Sequence, residues 1–296
     1  MQIFPRRLGS FDLDKFLYDM KIKSSLALFS IVGILGLVLV FHEYNPFSGP
    51  GTSPERDAAL LRTISQVLTR GHFQPKEMDD TFSKSVYALY LKDVDNGKRF
   101  LTQADVDQLK PYELKLDDQA KAGTFEFFNI SVSILEASLS KTQTWYREIL
   151  ASPFDFSKND ELQADGEKLK WAKDDAELRA RWERWMKYEV LSRVTEEQEK
   201  QEKPEFKGDK KDFETLEKEQ REKVLDVYNK WFKRMQKLDH NRRLEIYLNA
   251  ITNYFDPHTG YYSPREKENF DIQMSGKLEG IGARLQSDGE KTSVTE

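Results

Sequence analysis

The sequence predicts a mainly α protein: an N-terminal transmembrane or signal helix, a multi-helix body behind it, and a β-strand beginning only near the far end. Apolar residues recur three and four apart through most of 55–255, the spacing that gathers them on one face of a helix. Ser24 to Phe41 (SSLALFSIVGILGLVLVF) is an uncharged run of eighteen residues. That length lies within the roughly 17–25 residues that cross a bilayer as a helix. From Asp271 onward the helical pattern gives way to Gly276, Gly280 and Gly282 around a short β-like run that reaches Leu285.

The N-terminal run has asymmetric flanks. Arg6, Arg7, Lys15, Lys21 and Lys23 precede it, and His42 and Glu43 follow. The positive-inside rule then keeps 1–23 in the cytoplasm and sends everything beyond Glu43 across the membrane. Read instead as a buried core helix, the run would leave its cationic flank without a reason. No Ala-x-Ala cleavage signal follows, which favours an uncleaved anchor over a removed signal peptide. Translation from Met20 would give MKIKSSLALF, a signal-like start of its own, so the first nineteen residues read equally as an upstream extension. A linker over 42–54 comes next, turn-rich in NPFSGPGTSP, where Pro and Gly stop the helix.

The body follows. Leu60, Leu61, Ile64 and Leu68 predict a helix over 55–68, and Phe82, Val86, Leu89 and Tyr90 another over 78–91. Thr102 is placed as an N-cap with Asp105 in the first turn, starting a helix at Gln103. A longer helix is expected over 124–150, with Phe127, Phe128, Ile130, Ile134, Leu135, Leu139, Trp145 and Ile149 on its apolar face. Between Leu162 and Gln198 a stripe of Leu169, Trp171, Leu178, Trp182, Trp185, Met186, Val190, Leu191 and Val194 reads as core packing, since burying such side chains contributes on the order of 2–3 kcal/mol each. Residues 196–212 (EEQEKQEKPEFKGDKKD) have almost no apolar content and read as a solvated helix end with a mobile, protease-sensitive loop. Residues 213–255 resume the helical pattern with a break near Asp239-His240-Asn241.

Past Phe255, Asp256-Pro257-His258-Thr259-Gly260 reads as a turn, with Pro257 pushing Asp256 out of helical conformation and Gly260 permitting positive φ. Ser263-Pro264-Arg265-Glu266 has the form of a capping box and starts a helix at Pro264. His258, with no HExxH motif and no cysteine in the chain, reads as a hydrogen-bonded structural histidine holding the turn rather than a metal ligand or base. Ser263 and Lys267 invite comparison with a serine–lysine pair, but proline follows the serine directly and a lysine in a highly charged helix keeps its proton. No catalytic residue and no metal ligand is assigned in this chain.

Composition narrows the partners. Charged residues make up 33% and the net charge is −5, so there is no electrostatic footprint for nucleic acid and the expected partners are proteins. The absence of cysteine excludes a disulfide framework, a thiol nucleophile, a thiolate metal site and a lipoprotein anchor. Gly276, Gly280 and Gly282 do not form a G-x-G-x-x-G dinucleotide loop.

The stretch FDPHTGYYSPREKENFDIQMSGKLEGIGARL at 255–285 resembles the junction between the N-terminal helical domain and the PDZ domain of bacterial tail-specific (carboxy-terminal processing) proteases. LYLKDVDNGKRFLTQADVDQL at 89–109 is similar to another element of the same helical domain. The resemblance implies a helical domain over 55–270 and the first strand of an incomplete PDZ domain over 271–296, with the chain a segment of something longer. It implies that Gly280, Ile281, Gly282 and Ala283 form the loop and strand that take a substrate's terminal carboxylate, glycine allowing the backbone to approach the anion. The protein so implied is a serine endopeptidase on the periplasmic side of the bacterial inner membrane, anchored or exported by 24–41. It would act on protein substrates through their C-terminal tails, with the catalytic serine and lysine downstream and no cofactor, alongside a possible envelope adaptor protein. The family often has Ser where this chain has Gly260. The reading from a different class is a non-catalytic, membrane-anchored helical scaffold or adaptor of the envelope.

Overall fold

The computed structural model describes residues 53–158, 160–275, 284–287 and 292–295. The chain divides into two units, Met1–Arg56 and Asp57–Glu296, and the architecture below is that of the second. The described residues form nine α-helices: α1 (Pro54–Arg70), α2 (Asp80–Asp95), α3 (Gln103–Leu109), α4 (Leu116–Ala122), α5 (Glu126–Ile149), α6 (Asp175–Glu202), α7 (Phe213–Gln236), α8 (His240–Phe255) and α9 (Pro264–Ser275). A single 3₁₀ turn at Lys110–Tyr112 follows α3. Strands β1 (Arg284–Ser287) and β2 (Thr292–Thr295) pair antiparallel, with Leu285 opposite Val294. None of the described helices is long and apolar enough to cross a membrane. The run 24–41 and the glycine stretch 276–283 lie outside the described residues.

Two apolar cores organise the body, and α5 passes through both. Its first half contributes Phe127 and Phe128 to a core shared with Leu61, Phe82, Tyr90 and Tyr247 from α1, α2 and α8. Its second half contributes Leu135, Leu139 and Tyr146 to a core shared with Trp182, Met186, Val190 and Phe232 from α6 and α7. At 1.5 Å per residue the 24 residues of α5 span about 36 Å, enough to reach from one core into the next. Large rings fill both: Tyr146 stacks on Phe232 at 4.7 Å, and Tyr90 meets Tyr247 edge to face at 5.6 Å.

Local rules account for the boundaries. Thr102 and Asp105 form the full reciprocal capping box at the start of α3. Asp79, Asp174, Asp212 and Asp239 each cap the helix that follows with a carboxylate on a free N–H. The break between α7 and α8 falls where it is expected, at the Asp239 cap. α6 carries Leu178, Trp182, Met186, Val190 and Val194 at steps of four, every one buried. Leu191, counted in the sequence stripe, is exposed instead.

The structure corrects or extends the sequence reading at four places. Leu169 and Trp171 do not belong to a helix. The chain through 160–174 is a strap laid against the turn after α2, where Gln103 donates its N–H to the Ala172 carbonyl at 2.7 Å. Gly166 packs so closely on that turn that a Cβ there would lie 2.1 Å from the Asn96 carbonyl oxygen. Second, the helix end expected within 196–212 is found at Glu202, and the loop after it is gripped at its far end, where buried Gln201 accepts the Lys211 N–H at 2.5 Å. Third, α4 has no counterpart in the sequence reading. It ends at Gly123, whose φ of +73° is the left-handed helix stop that glycine adopts freely. Fourth, β2 was not foreseen, because only the run up to Leu285 reads as strand.

Candidate functional site

Gly280, Ile281, Gly282 and Ala283, the residues expected to take a substrate carboxylate, lie outside the described residues. What the structure describes on either side of them is the capped entry into α9 and the β1–β2 pair.

The turn between α8 and α9 is held by residues that sequence reasoning missed. Asn249, on α8, uses both ends of its amide on one backbone unit: Oδ1 accepts the Tyr261 N–H at 2.7 Å and Nδ2 donates to the Tyr261 carbonyl at 3.1 Å. His72 places Nε2 3.0 Å from the Thr259 hydroxyl. His258 is hydrogen-bonded, as expected, but its ring is 92% exposed, and what organises the turn is the Asp256 carboxylate accepting the His258 N–H at 2.6 Å. That N–H holds the Asp256 carboxyl below its ordinary range. Gly260 is not in the left-handed region; among the described glycines only Gly123 has positive φ. An asparagine twelve positions before the segment it clamps carries no local signal, which is why the expectation settled on the histidine and the glycine.

Ser263 and Lys267 do not form a catalytic pair. The Ser263 hydroxyl accepts the Glu266 N–H at 3.4 Å as the helix cap, and the Lys267 ammonium sits 2.5 Å from the Asp271 carboxylate, with both side chains more than half exposed. The hydroxyl is used as a cap and the ammonium is paired with a carboxylate, so neither is arranged to act on the other. Among the described residues no cluster of His, Asp and Glu is placed to hold a metal ion.

The chemistry-bearing concavity lies elsewhere, between α6, the turn after α2 and the strap. The turn is built on Asp95, which is buried and accepts three successive backbone N–H groups, those of Arg99, Phe100 and Leu101, at 2.8–3.0 Å. Burial pushes the Asp95 carboxyl up from its ordinary range, against the three N–H bonds that pull it down. Lys98, at φ 47°, points its ammonium at the carbonyls of Gly166 (2.7 Å) and Leu169, fastening the strap to the turn. The Trp182 indole N–H donates to the Arg99 carbonyl at 2.7 Å, and the Trp185 indole N–H to the Tyr228 hydroxyl at 2.8 Å, so both rings are fixed from behind. Between these walls is a cavity of about 310 Å³. It offers cations and aromatic faces, not a nucleophile with a base, and what it can do is bind.

The comparisons with known proteins converge. Residues 64–265 match the model of the tail specific protease N-terminal domain, a span running from within α1 to the second residue of α9. The tail-specific protease of Haemophilus influenzae is 27% identical over 246 residues, covering 83% of this chain and 33% of that relative. The chain thus spans about a third of the length of that relative.

Proposed function

The chain belongs to the tail-specific protease family, through its N-terminal domain, and on that premise we propose that it is the front portion of a periplasmic serine endopeptidase that processes or degrades proteins from their C-termini. The observation that carries this reading is the coincidence of the matched span, 64–265, with the folded helical body, followed by a capped helix start at Ser263 and then paired strands. In this assignment 24–41 anchors or exports the protein at the inner membrane, and the helical body shapes the approach of substrate. Gly280–Ala283 open a PDZ domain that holds the substrate tail. The serine nucleophile and the lysine that activates it belong to sequence after Glu296, and the acyl transfer they perform needs neither metal nor organic cofactor.

The test is to express this chain alone and, separately, together with the coding sequence that continues past codon 296. The longer product is expected to degrade an unstructured protein from its C-terminal end, with Ser263→Ala leaving that activity unchanged, while the chain alone cleaves nothing. A stop codon directly after Glu296 would overturn the reading and favour a membrane-anchored scaffold. So would proteolysis by the chain alone that Ser263→Ala abolishes.

A further inference from the structure

The cavity behind the Asp95 turn contains two guanidinium groups that, among the described residues, have no hydrogen-bonded or ion-paired acceptor, although Arg184 lies near enough to Glu177 to help lower its carboxyl and Arg99 acts in the same direction on Asp95. Arg99 lies flat over the Trp185 ring, its central carbon 3.8 Å from the ring centre, and Arg184 enters from the next turn of α6. Every other cation on the wall is engaged: Arg181 bonds the Lys170 carbonyl and the Glu177 carboxylate, and Lys98 is spent on the strap. Neither the Arg99 nor the Arg184 side chain makes a hydrogen bond or ion pair with any described residue, although both are partly buried. Each guanidinium carries five N–H donors in a planar fork, and half-buried donors without acceptors favour an anion of matching shape.

The rest of the lining says what that anion is attached to. Trp182, Leu162 and Leu169 present apolar surface, and the two fixed indoles leave little to be ordered on binding. The volume of about 310 Å³ stands at the small end of ligand sites, which run from roughly 300 to 1,000 Å³. Two acids reach the lining: Glu177 is held by Arg181 and by the Lys173 N–H at 2.9 Å, and Glu161 is exposed at the rim and pairs with neither free guanidinium.

We propose that this cavity binds a carboxylate carried on an apolar body the size of one amino-acid residue, with Arg99 and Arg184 taking the carboxylate and Trp182, Leu162 and Leu169 the apolar body. The carboxylate can come from a free organic acid or from the end of a polypeptide; the recognising chemistry is the same. The assignment is independent of any proteolytic role of the longer protein.

Calorimetric titration of the full chain in detergent tests it, with N-acetyl-leucine, N-acetyl-leucinamide and an acetylated tetrapeptide ending in leucine as probes. Saturable binding of N-acetyl-leucine is expected, weakened by roughly tenfold or more on amidation and similarly by Arg184→Gln, with partial recovery in Arg184→Lys. Because the Arg184 side chain makes no hydrogen bond or ion pair among the described residues, Arg184→Gln should melt with the parent, which separates lost binding from lost folding. Tetrapeptide binding at least as tight as that of N-acetyl-leucine assigns the site to polypeptide ends; binding of N-acetyl-leucine alone assigns it to free acids. Equal binding of acid and amide, affinity unmoved by Arg184→Gln, or no saturable binding of either acid at millimolar concentration overturns the proposal.

Discussion

Asp95 reaches six residues along the chain to hold Leu101: its Oδ2 accepts the Leu101 N–H at 2.9 Å, with the Phe100 N–H on the same oxygen at 3.0 Å and the Arg99 N–H on Oδ1 at 2.8 Å. One buried carboxylate thereby satisfies three N–H groups that no helix or sheet can reach. Asp95→Ala strands all three, and at about 1–3 kcal/mol for an unsatisfied buried donor, partly relieved by entering water, the expected loss is about 3 kcal/mol. Asp95→Asn keeps one accepting oxygen and turns an NH₂ toward the remaining donors, for an expected loss of about 2 kcal/mol. Urea denaturation followed by circular dichroism measures both; an alanine variant as stable as the parent would remove Asp95 from this role.

Two glycines predict opposite outcomes. At Gly123, φ is +73° and a Cβ would stand 2.8 Å from the Ala58 carbonyl oxygen and 2.5 Å from Arg62. The arginine can move and the backbone oxygen cannot, so Gly123→Ala is expected to lower stability by about 2 kcal/mol or more. At Gly260 a Cβ meets nothing nearer than 3.5 Å and φ is unstrained, so Gly260→Ser should stay within about 0.5 kcal/mol of the parent. Paired thermal melts decide it, and a large loss at Gly260 with none at Gly123 would reverse the assignment of which turn needs glycine.

What the sequence disclosed follows the range of the interaction. The Thr102–Asp105 box, the Asp239 break and the face of Leu178, Trp182, Met186, Val190 and Val194 are set by neighbours within a turn or two of helix, and each is found where the pattern puts it. The strap was misread because Leu169 and Trp171 continue the apolar pattern of α6, while what lifts them off it is Gly166 against Asn96, a contact between distant segments. α4 is too short, at seven residues, to show a period. At the cavity, Trp182 and Trp185 are legible as buried aromatics, but their partner Arg99 lies on another element, and no local pattern marks it as a cation to be stacked on a ring. Membership of the family was legible because the segment at 89–109 and the start of the one at 255–285, with its prolines and caps, are local chemistry and lie within the matched span 64–265.

The Tyr247 hydroxyl is wholly buried among Phe125, Phe127, Phe128 and Tyr90 and finds no hydrogen-bond partner among the described residues. A buried polar group left unpaired lowers stability by about 1–3 kcal/mol, so its removal without change of ring shape should raise stability. Tyr247→Phe is expected to gain about 1 kcal/mol by urea denaturation, with the slope of the transition unchanged. A loss instead would mean that the hydroxyl is hydrogen-bonded in solution.

Alkaline pH should unfold the α2–α5–α8 core through its phenols. Burial pushes the Tyr87 hydroxyl, with Glu113 and Asp107 adding to it, and the Tyr90 hydroxyl, against its bond to Ser131, both up to about 12; burial also raises Tyr247. Below pH 10 these phenols are neutral folded or unfolded, and the fold keeps its full stability. Between about 10 and 12 the unfolded chain gives up protons that the folded chain retains, so stability falls with pH, by roughly 1.4 kcal/mol per unit for each such group. Phenolate absorbance and helical circular dichroism, recorded together on a rising pH series, are therefore expected to show a subset of tyrosines ionising only as the helices melt. Tyr90→Phe should make the melting less steep in pH. If every tyrosine ionises near pH 10 with the helices intact, these rings are not sealed in the core and the packing around Tyr90 is wrong.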